Sequence, residues 1–464
     1  MISLETARTV LDAALSTGAD LAEIYVEDVT SLRLGLDDSR IEEAIRGADR
    51  GAGVRVFFGN LVTYAYTDTL EEASLLEAAR AAAAAGTSSG EARQNIDLTQ
   101  RRSPLEFTIE KPIDQMTIAE KAAILDQVDR TARAYDPRIV QVSGSYRERS
   151  RRVWLFNSEG VHAEDERTFV EVSFAVIAQQ NGTLQRAHEG FGAQSGLELF
   201  DTNDPIAVTN EIAEAAVHML DARPCPAGEM PVVITNGWGG VLFHEACGHQ
   251  MEADFIAKGS SAYAGKLGER VASPLITAID DGTIPGRRGS LRFDDDGTPS
   301  SRTVLIEEGV LTEYMWDLVE ARRVGRENLT GNGRRQSFRH MPMPRMTNTY
   351  IDQGEHDPQA IIEATDRGIY IKRMAGGQAD IARGDFVFNA TEAYLIDDGK
   401  LAAPVRGATI AGHGPTVLQS IDMVGNDLAL DPGQGMCGKT QWARVSVGQP
   451  TIRIPSVTVG GTGD

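Results

Sequence analysis

The segment His244-Glu245-Ala246-Cys247-Gly248-His249 gathers two imidazoles, a carboxylate and a thiol within six residues. Neutral imidazoles and thiolates are preferred zinc ligands, and a carboxylate beside a metal is placed to move a proton. In the familiar His-Glu-x-x-His pattern the imidazoles stand at i and i+4, about 40° apart on one helix face. Here the spacing is i+5, which on a regular helix separates them by about 140°. Two outcomes are open. Either the helix bulges into an i→i+5 turn near Cys247-Gly248, where glycine lowers the cost of irregular backbone, or His249 is not a ligand. Taken alone, the hexapeptide supports a metal site no more strongly than it supports two histidines on a surface or in a core.

A third donor has several candidates. Cys247 lies at i+3 from His244 and can share its face, although a small buried core residue is the simpler role. His340 and His413 are further options, the latter between Gly412 and Gly414. Cys437 sits in the glycine-rich run from Gly433 to Gly438, a loop able to fold tightly against a metal. From the residues alone it does not rank above His413. Cys225, flanked by Pro224 and Pro226, receives no role. Two loops, Thr330 to Arg335 and Pro342 to Asn348, bring arginines, with Arg339 between them. They lack the strand–glycine-loop–lysine pattern of a phosphate loop. They read either as surface loops with paired arginines or as walls of the site. In the second case Arg334, Arg335 and Arg345 bind substrate carbonyls or a terminal carboxylate. Asp294-Asp295-Asp296 lacks calcium-loop spacing and reads as a solvated acidic turn.

The elements that must position these groups form an α+β pattern. Residues 1–85 read as an N-terminal unit: a helix behind the N-cap Ser3, then short strands at 24–26, 32–36, 53–58 and 61–66. An Ala-rich helix follows behind a Thr69/Glu72 capping box and ends near Ala85. Residues 86–115 read as a polar linker. Residues 116–226 repeat the layout, with a Thr117/Glu120 capping box, a helix to about Tyr135, alternating strands, and a helix from about Pro205 to Leu220. Residues 227–464 are denser in glycine and short strands, with hairpins turning at Glu308-Gly309 and Asp397-Asp398-Gly399. This part reads as a β-rich, barrel-like domain. Within it Val232 to Thr235 is a strand, Asn236-Gly237 a turn, and Trp238 to Glu252 a helix carrying the candidate ligands.

The run Trp238-Gly239-Gly240-Val241-Leu242-Phe243-His244-Glu245-Ala246-Cys247-Gly248-His249-Gln250-Met251-Glu252-Ala253-Asp254 resembles the signature of the TldD/PmbA peptidases. Further matches follow in order at 329–335, 343–349, 392–396, Met436-Cys437-Gly438-Lys439 and 447–451. The resemblance implies one zinc ion per chain, held by His244, His249 and Cys437, with Glu245 as general base. Two imidazoles and a thiolate leave one tetrahedral position open, the mark of a catalytic zinc site. It also implies a two-fold assembly, a homodimer or a heterodimer with a related subunit lacking the motif. The expected substrates are unstructured peptides or flexible protein tails, bound in part by strand addition. Two alternatives stay open: a non-catalytic regulatory or binding subunit, as the family's link with DNA gyrase suggests, and a metal hydrolase of non-peptide substrates.

The whole chain fits that expectation. Its 464 residues, 41% hydrophobic and 24% charged, describe a globular protein with ample core material. Length alone suggests about three domains. A net charge of −22 disfavours direct nucleic-acid binding and attracts cations, including basic peptides. Three cysteines leave one unpaired under any pairing, which fits a reducing cytoplasm. The N-terminus lacks the basic and apolar regions of a signal peptide, and no apolar run approaches the ~20 residues that span a bilayer.

Overall fold

The computed structural model describes residues 1–86 and 96–461; of the connection expected at 86–115, residues 87–95 lie outside the described residues. The architecture is α+β, as its alternation of helices and antiparallel strands predicts. The N-terminal half departs from expectation in its strand lengths. The short strands expected there are pieces of long ones: Leu21–Asp37, Arg40–Phe58, Ile139–Asn157 and Val161–Gln180. They join with Leu61–Thr67 and Thr183–Ala193 in one antiparallel sheet, where Leu21–Asp37 pairs directly with Ile139–Asn157. The two helix-plus-strand units therefore share a sheet.

Pattern explains the length. In Leu21–Asp37 the residues Ala22, Ile24 and Val26 pack under the helices Leu4–Leu15 and Glu72–Ala84. The alternate residues Glu23, Tyr25 and Glu27 point to the other face and are also buried. There Tyr25 meets Phe293 and Phe338 of the C-terminal half. A strand covered on both faces alternates apolar and polar residues only if the second cover is itself polar, and this one is. The helix Ile118–Tyr135 carries the Thr117/Glu120 capping box in full. The Thr69/Glu72 box does not form: the helix starts at Glu72 behind Glu71, and the Thr69 amide is already used by the Thr67 hydroxyl.

Five strands of the C-terminal half close into a barrel. Arg367–Ala379 pairs with Gly228–Ile234, which pairs with Ile452–Gly460, then Thr409–His413, then Asp385–Asp397, which returns to Arg367–Ala379. Beside it lies a six-stranded sheet that includes Ala278–Asp281, Asn348–Ile351 and Ser446–Gln449. The core between barrel and sheet takes in Phe243, Ala246, Ile351, Val417 and Ile452, so the segment after Gly228–Ile234 is held from both sides. Both expected hairpins are present. Among the described residues no helix is long and apolar enough to cross a membrane.

The triple aspartate is not a solvated turn. Asp294, Asp295 and Asp296 are all buried. Asp295 pairs with Arg167 at 2.8 Å, Asp294 caps the Gly333 amide at 2.9 Å, and Asp296 pairs with Arg55. They face the polar underside of the N-terminal sheet, where arginines from both halves supply the countercharge that a sequence reading could not place.

Candidate metal centre

The expected single helix over 238–252 is broken into three. Gly237–Gly240 forms a 3₁₀ turn, Val241–Ala246 an α-helix, and Gly248–Met251 a second 3₁₀ turn. The break is at Cys247, which leaves helical geometry at φ −128°, ψ −47°. Neither outcome weighed for the i+5 spacing describes it. The helix stops rather than bulging, and the tighter turn that follows re-aims His249 towards His244. Their ring centroids stand 5.1 Å apart. Packing favours glycine after the break, because a Cβ on residue 248 would lie 2.6 Å from the Met346 sulfur. Close approach also fixes Gly240, whose Cβ would lie 2.4 Å from the Gly448 carbonyl oxygen.

Cys437 arrives on a hairpin, Met436–Lys439 paired with Gln441–Arg444. The turn residue Thr440 sits at φ 60°, a conformation costly for a β-branched side chain, by about 1–3 kcal/mol. The Cys437 sulfur lies 3.1 Å from His244 Nε2 and 3.1 Å from His249 Nε2. All three side chains are buried, and their donor atoms lie within 4.8 Å of one another. Tetrahedral zinc, with bonds of ~2.0–2.1 Å to nitrogen and ~2.3 Å to sulfur, spaces such donors about 3.5 Å apart. Each sulfur–nitrogen distance is a few tenths of an ångström short of that spacing. Two buried imidazoles and a thiol converging on one another are a donor set that zinc takes, so the residues fit the ion.

The electrostatics agree. Burial pushes the Cys437 thiol up, but His244 and His249 together outweigh it and hold the thiol well below its ordinary range. Burial likewise pushes His249 down, while Glu252 and Cys437 raise it to about 10. The triangle thus already favours a thiolate, the form in which cysteine binds metal. His249 Nδ1 donates to Glu252 at 2.9 Å. A carboxylate only accepts, so a proton is fixed on Nδ1, and Nε2 is the nitrogen that faces the sulfur. Glu252 is held in turn by Lys439 Nζ at 2.9 Å, which also reaches Asp254 at 2.7 Å. His244 Nδ1 is buried without a hydrogen-bond partner among the described residues. Glu245 is the partly exposed member: its side chain is 31% accessible and its Oε2 lies 3.7 Å from His249 Nε2.

The other candidates lie elsewhere. Cys247 is buried in the apolar core, and that burial pushes its thiol up to about 12. His413 bonds Thr416 and His340 bonds Ser337. Arg345 donates to the carbonyls of Cys437 and Gln441 at 2.8 and 2.7 Å, so it braces the hairpin backbone. Arg334 donates to the carbonyls of Met346 and Arg444, and Arg335 pairs with Glu23 at 2.6 Å. All three arginines are buried. Sequence reasoning missed Glu252 and Lys439 as supports. Their one local signal is position, Glu252 three residues beyond His249 and Lys439 two beyond Cys437.

Comparison with known proteins matches this chain along its length. Residues 22–86, 111–220 and 227–461 match domain 1, the central domain and the C-terminal domain of the PmbA/TldA metallopeptidases. A metalloprotease TldD homolog of Haemophilus influenzae is 41% identical over 468 residues, covering 99% of this chain and 97% of that protein. A zinc metalloprotease TldD homolog of Saccharolobus solfataricus is 27% identical, covering 96% and 97%. The crystal structure of TldE from Thermococcus kodakarensis superposes with a TM-score of 0.77 at 20% identity, covering 98% of this chain and 100% of that one. With three family domains in order and full-length relatives on both sides, this chain belongs to the PmbA/TldD family of metallopeptidases.

Proposed function

We propose that this chain is a zinc-dependent peptidase in which His244, His249 and Cys437 hold one zinc ion and Glu245 is the general base. The observation that carries this reading is the buried triangle of Nε2, Nε2 and Sγ, drawn from segments almost two hundred residues apart, with one partly exposed carboxylate beside it. A structural zinc site closes all four positions with protein donors; three donors and an accessible Glu245 support a catalytic one. When bound there, zinc supplies a Lewis acid that polarises a carbonyl and acidifies water. Glu245 accepts a proton at its carboxylate and returns it to the leaving amine. Glu252, clamped by Lys439, keeps the His249 proton on Nδ1, and Arg345 holds the strand that presents Cys437.

The substrates in this reading are unstructured peptides or flexible protein tails, and the working form is a dimer with a second copy or a related subunit. The test pairs metal analysis with peptide hydrolysis on the purified protein. About one zinc per chain is expected, with most of it lost in Cys437→Ser. Glu245→Gln should keep its zinc and lose about 10²- to 10⁴-fold in activity. A folded wild type that takes up no zinc, or a Glu245→Gln enzyme of full activity, would end the proposal. Ester and small-amide substrates run beside peptides test whether the amide bond is the preferred target.

A further inference from the structure

The underside of the N-terminal sheet carries a row of arginines whose partners can be accounted for one by one. Ser31 pairs with Arg149, Val29 with Arg151, Arg151 with Arg167 and Arg149 with Phe169. Directly paired residues share a face, so these side chains all point towards the C-terminal half. Arg151 meets Glu27 at 2.6 Å, Arg167 meets Asp165 and Asp295, and Arg288 meets Glu171 at 3.0 Å. Arg149 and Arg444 are different. Among the described residues neither guanidinium has an ion pair or an acceptor for its N–H groups, and the Nε of each is buried and unsatisfied. Arg444 lies flat on Phe169, 4.6 Å from the ring centroid. Burial and neighbouring arginines push both guanidinium groups down.

The carboxylates that share their surroundings are engaged elsewhere, Glu148 by Lys121, Glu171 by Arg288 and Asp295 by Arg167, so two adjacent cations left without an ion pair mark a place for an anion from outside. A guanidinium presents five donors in a planar fork matched to carboxylate. Both side chains line two adjoining clefts of about 160 and 130 Å³. The larger is also walled by Met436 and Trp442, two apolar side chains that stay exposed. Its place relative to the metal centre is set by the hairpin register: Arg444 stands directly across from Met436, the residue before Cys437.

We propose that Arg149 and Arg444 form an anion subsite on the far side of the Cys437 hairpin, which binds a carboxylate of the peptide substrate. This rests on the peptidase reading and narrows its substrate class to peptides bearing a carboxylate a short distance from the cleaved bond. The carboxylate is the C-terminus or an acidic side chain, and Met436 and Trp442 receive the apolar part of the same segment.

The test uses the zinc-loaded full chain and one unstructured peptide in four forms: free or amidated C-terminus, and Glu or Gln at one internal position. Wild type is expected to favour one carboxylate form about 10- to 100-fold in kcat/KM, mainly through KM. Whichever replacement, amide or Gln, removes the preference identifies the source. Arg149→Gln and Arg444→Gln should abolish the preference with zinc content and melting temperature unchanged. The same peptides, fluorescently labelled, are titrated onto Glu245→Gln by anisotropy, so the subsite is read even if no hydrolysis is seen. Absence of cleavage with carboxylate-dependent binding retained would count against the peptidase reading alone. Equal binding of all four forms by protein with intact zinc would overturn the subsite. So would a carboxylate preference that survives both arginine variants, or a change of oligomeric state in those variants without a change in peptide preference, which would assign the cleft to a subunit contact.

Discussion

Two buried polar regions of the molecule, the junction of its two halves and the metal centre of the C-terminal half, are finished in opposite ways. At the junction, Arg55, Arg167 and Arg335 reach Glu23, Asp165, Asp295 and Asp296, all deeply buried. Each of these three guanidinium groups ends on a carboxylate. At the metal centre, His244, His249 and Cys437 point at one another, and beyond the Cys437 hairpin Arg149 and Arg444 have no ion-pair partner among the described residues. Burying a charge is tolerable only when a partner repays its desolvation. A region that repays it internally is an architectural joint; one that leaves donors converging is waiting for something from outside.

The largest effect that separates the two regions belongs to the joint. Asp295→Ala leaves Arg167 without one of its two carboxylates in a buried site. Breaking a buried pair on one side typically costs about 3–5 kcal/mol. Chemical denaturation should show a loss of that order, with zinc per folded chain unchanged. Zinc lost in parallel would mean that the two regions are not separable. Acid probes the same joint. Burial pushes Asp295 up, but Arg167, Arg151 and Arg335 outweigh it and hold the carboxyl at about 2. A carboxylate depressed in the folded state adds stability that is fully present above its unfolded pKa of ~3.9 and is lost as pH falls towards 2. Stability measured from pH 5 downward should therefore fall more steeply for wild type than for Asp295→Ala; parallel curves would remove Asp295 from the joint's charge balance.

A smaller effect is expected where the two kinds of region meet. Glu252 is paired like a joint residue, to Lys439, yet it orients a donor of the metal centre. Outer-shell partners of metal-binding histidines typically contribute 10- to 100-fold in metal affinity or activity. Glu252→Gln should weaken zinc binding within that range in a chelator competition, while unfolding of the metal-free protein shifts less than for Asp295→Ala. An unchanged zinc affinity would make Glu252 a joint residue only.

What the sequence could and could not reveal follows the same division. Local chemistry was legible: the residue types at 244–249, the Thr117/Glu120 cap, the hairpin turns and the barrel-like character of the second half all depend on near neighbours. Partnership across the chain was not. Asp294-Asp295-Asp296 looks solvated until Arg55 and Arg167, more than a hundred residues away, are folded against it. The long strands were read as short because their second face is covered by a polar surface, so the alternation carries charges such as Glu23 and Glu27 where a core would carry leucine. An irregularity near Cys247-Gly248 was legible from the i+5 spacing and the glycine, but its form, a helix that stops and restarts as a 3₁₀ turn, was not.

Cys247 gives the finest test of the contrast, because it lies inside the metal motif yet belongs to neither polar region. Its thiol is 2% exposed among Phe243, Ala246 and the other apolar side chains of the barrel core. Burial keeps it protonated, with its pKa pushed up to about 12, so it offers no thiolate to a metal near neutral pH. Cys247→Ala should therefore leave zinc content and peptide hydrolysis within twofold of wild type. It should cost only about 1 kcal/mol of stability, from the lost sulfur contacts. The native protein should also fail to react with an alkylating reagent at Cys247 at pH 8, as followed by peptide mass mapping. A loss of zinc in Cys247→Ala with the fold intact would show that position in the motif, rather than convergence in space, selects the sulfur donor, and the Cys437 triangle would have to be abandoned.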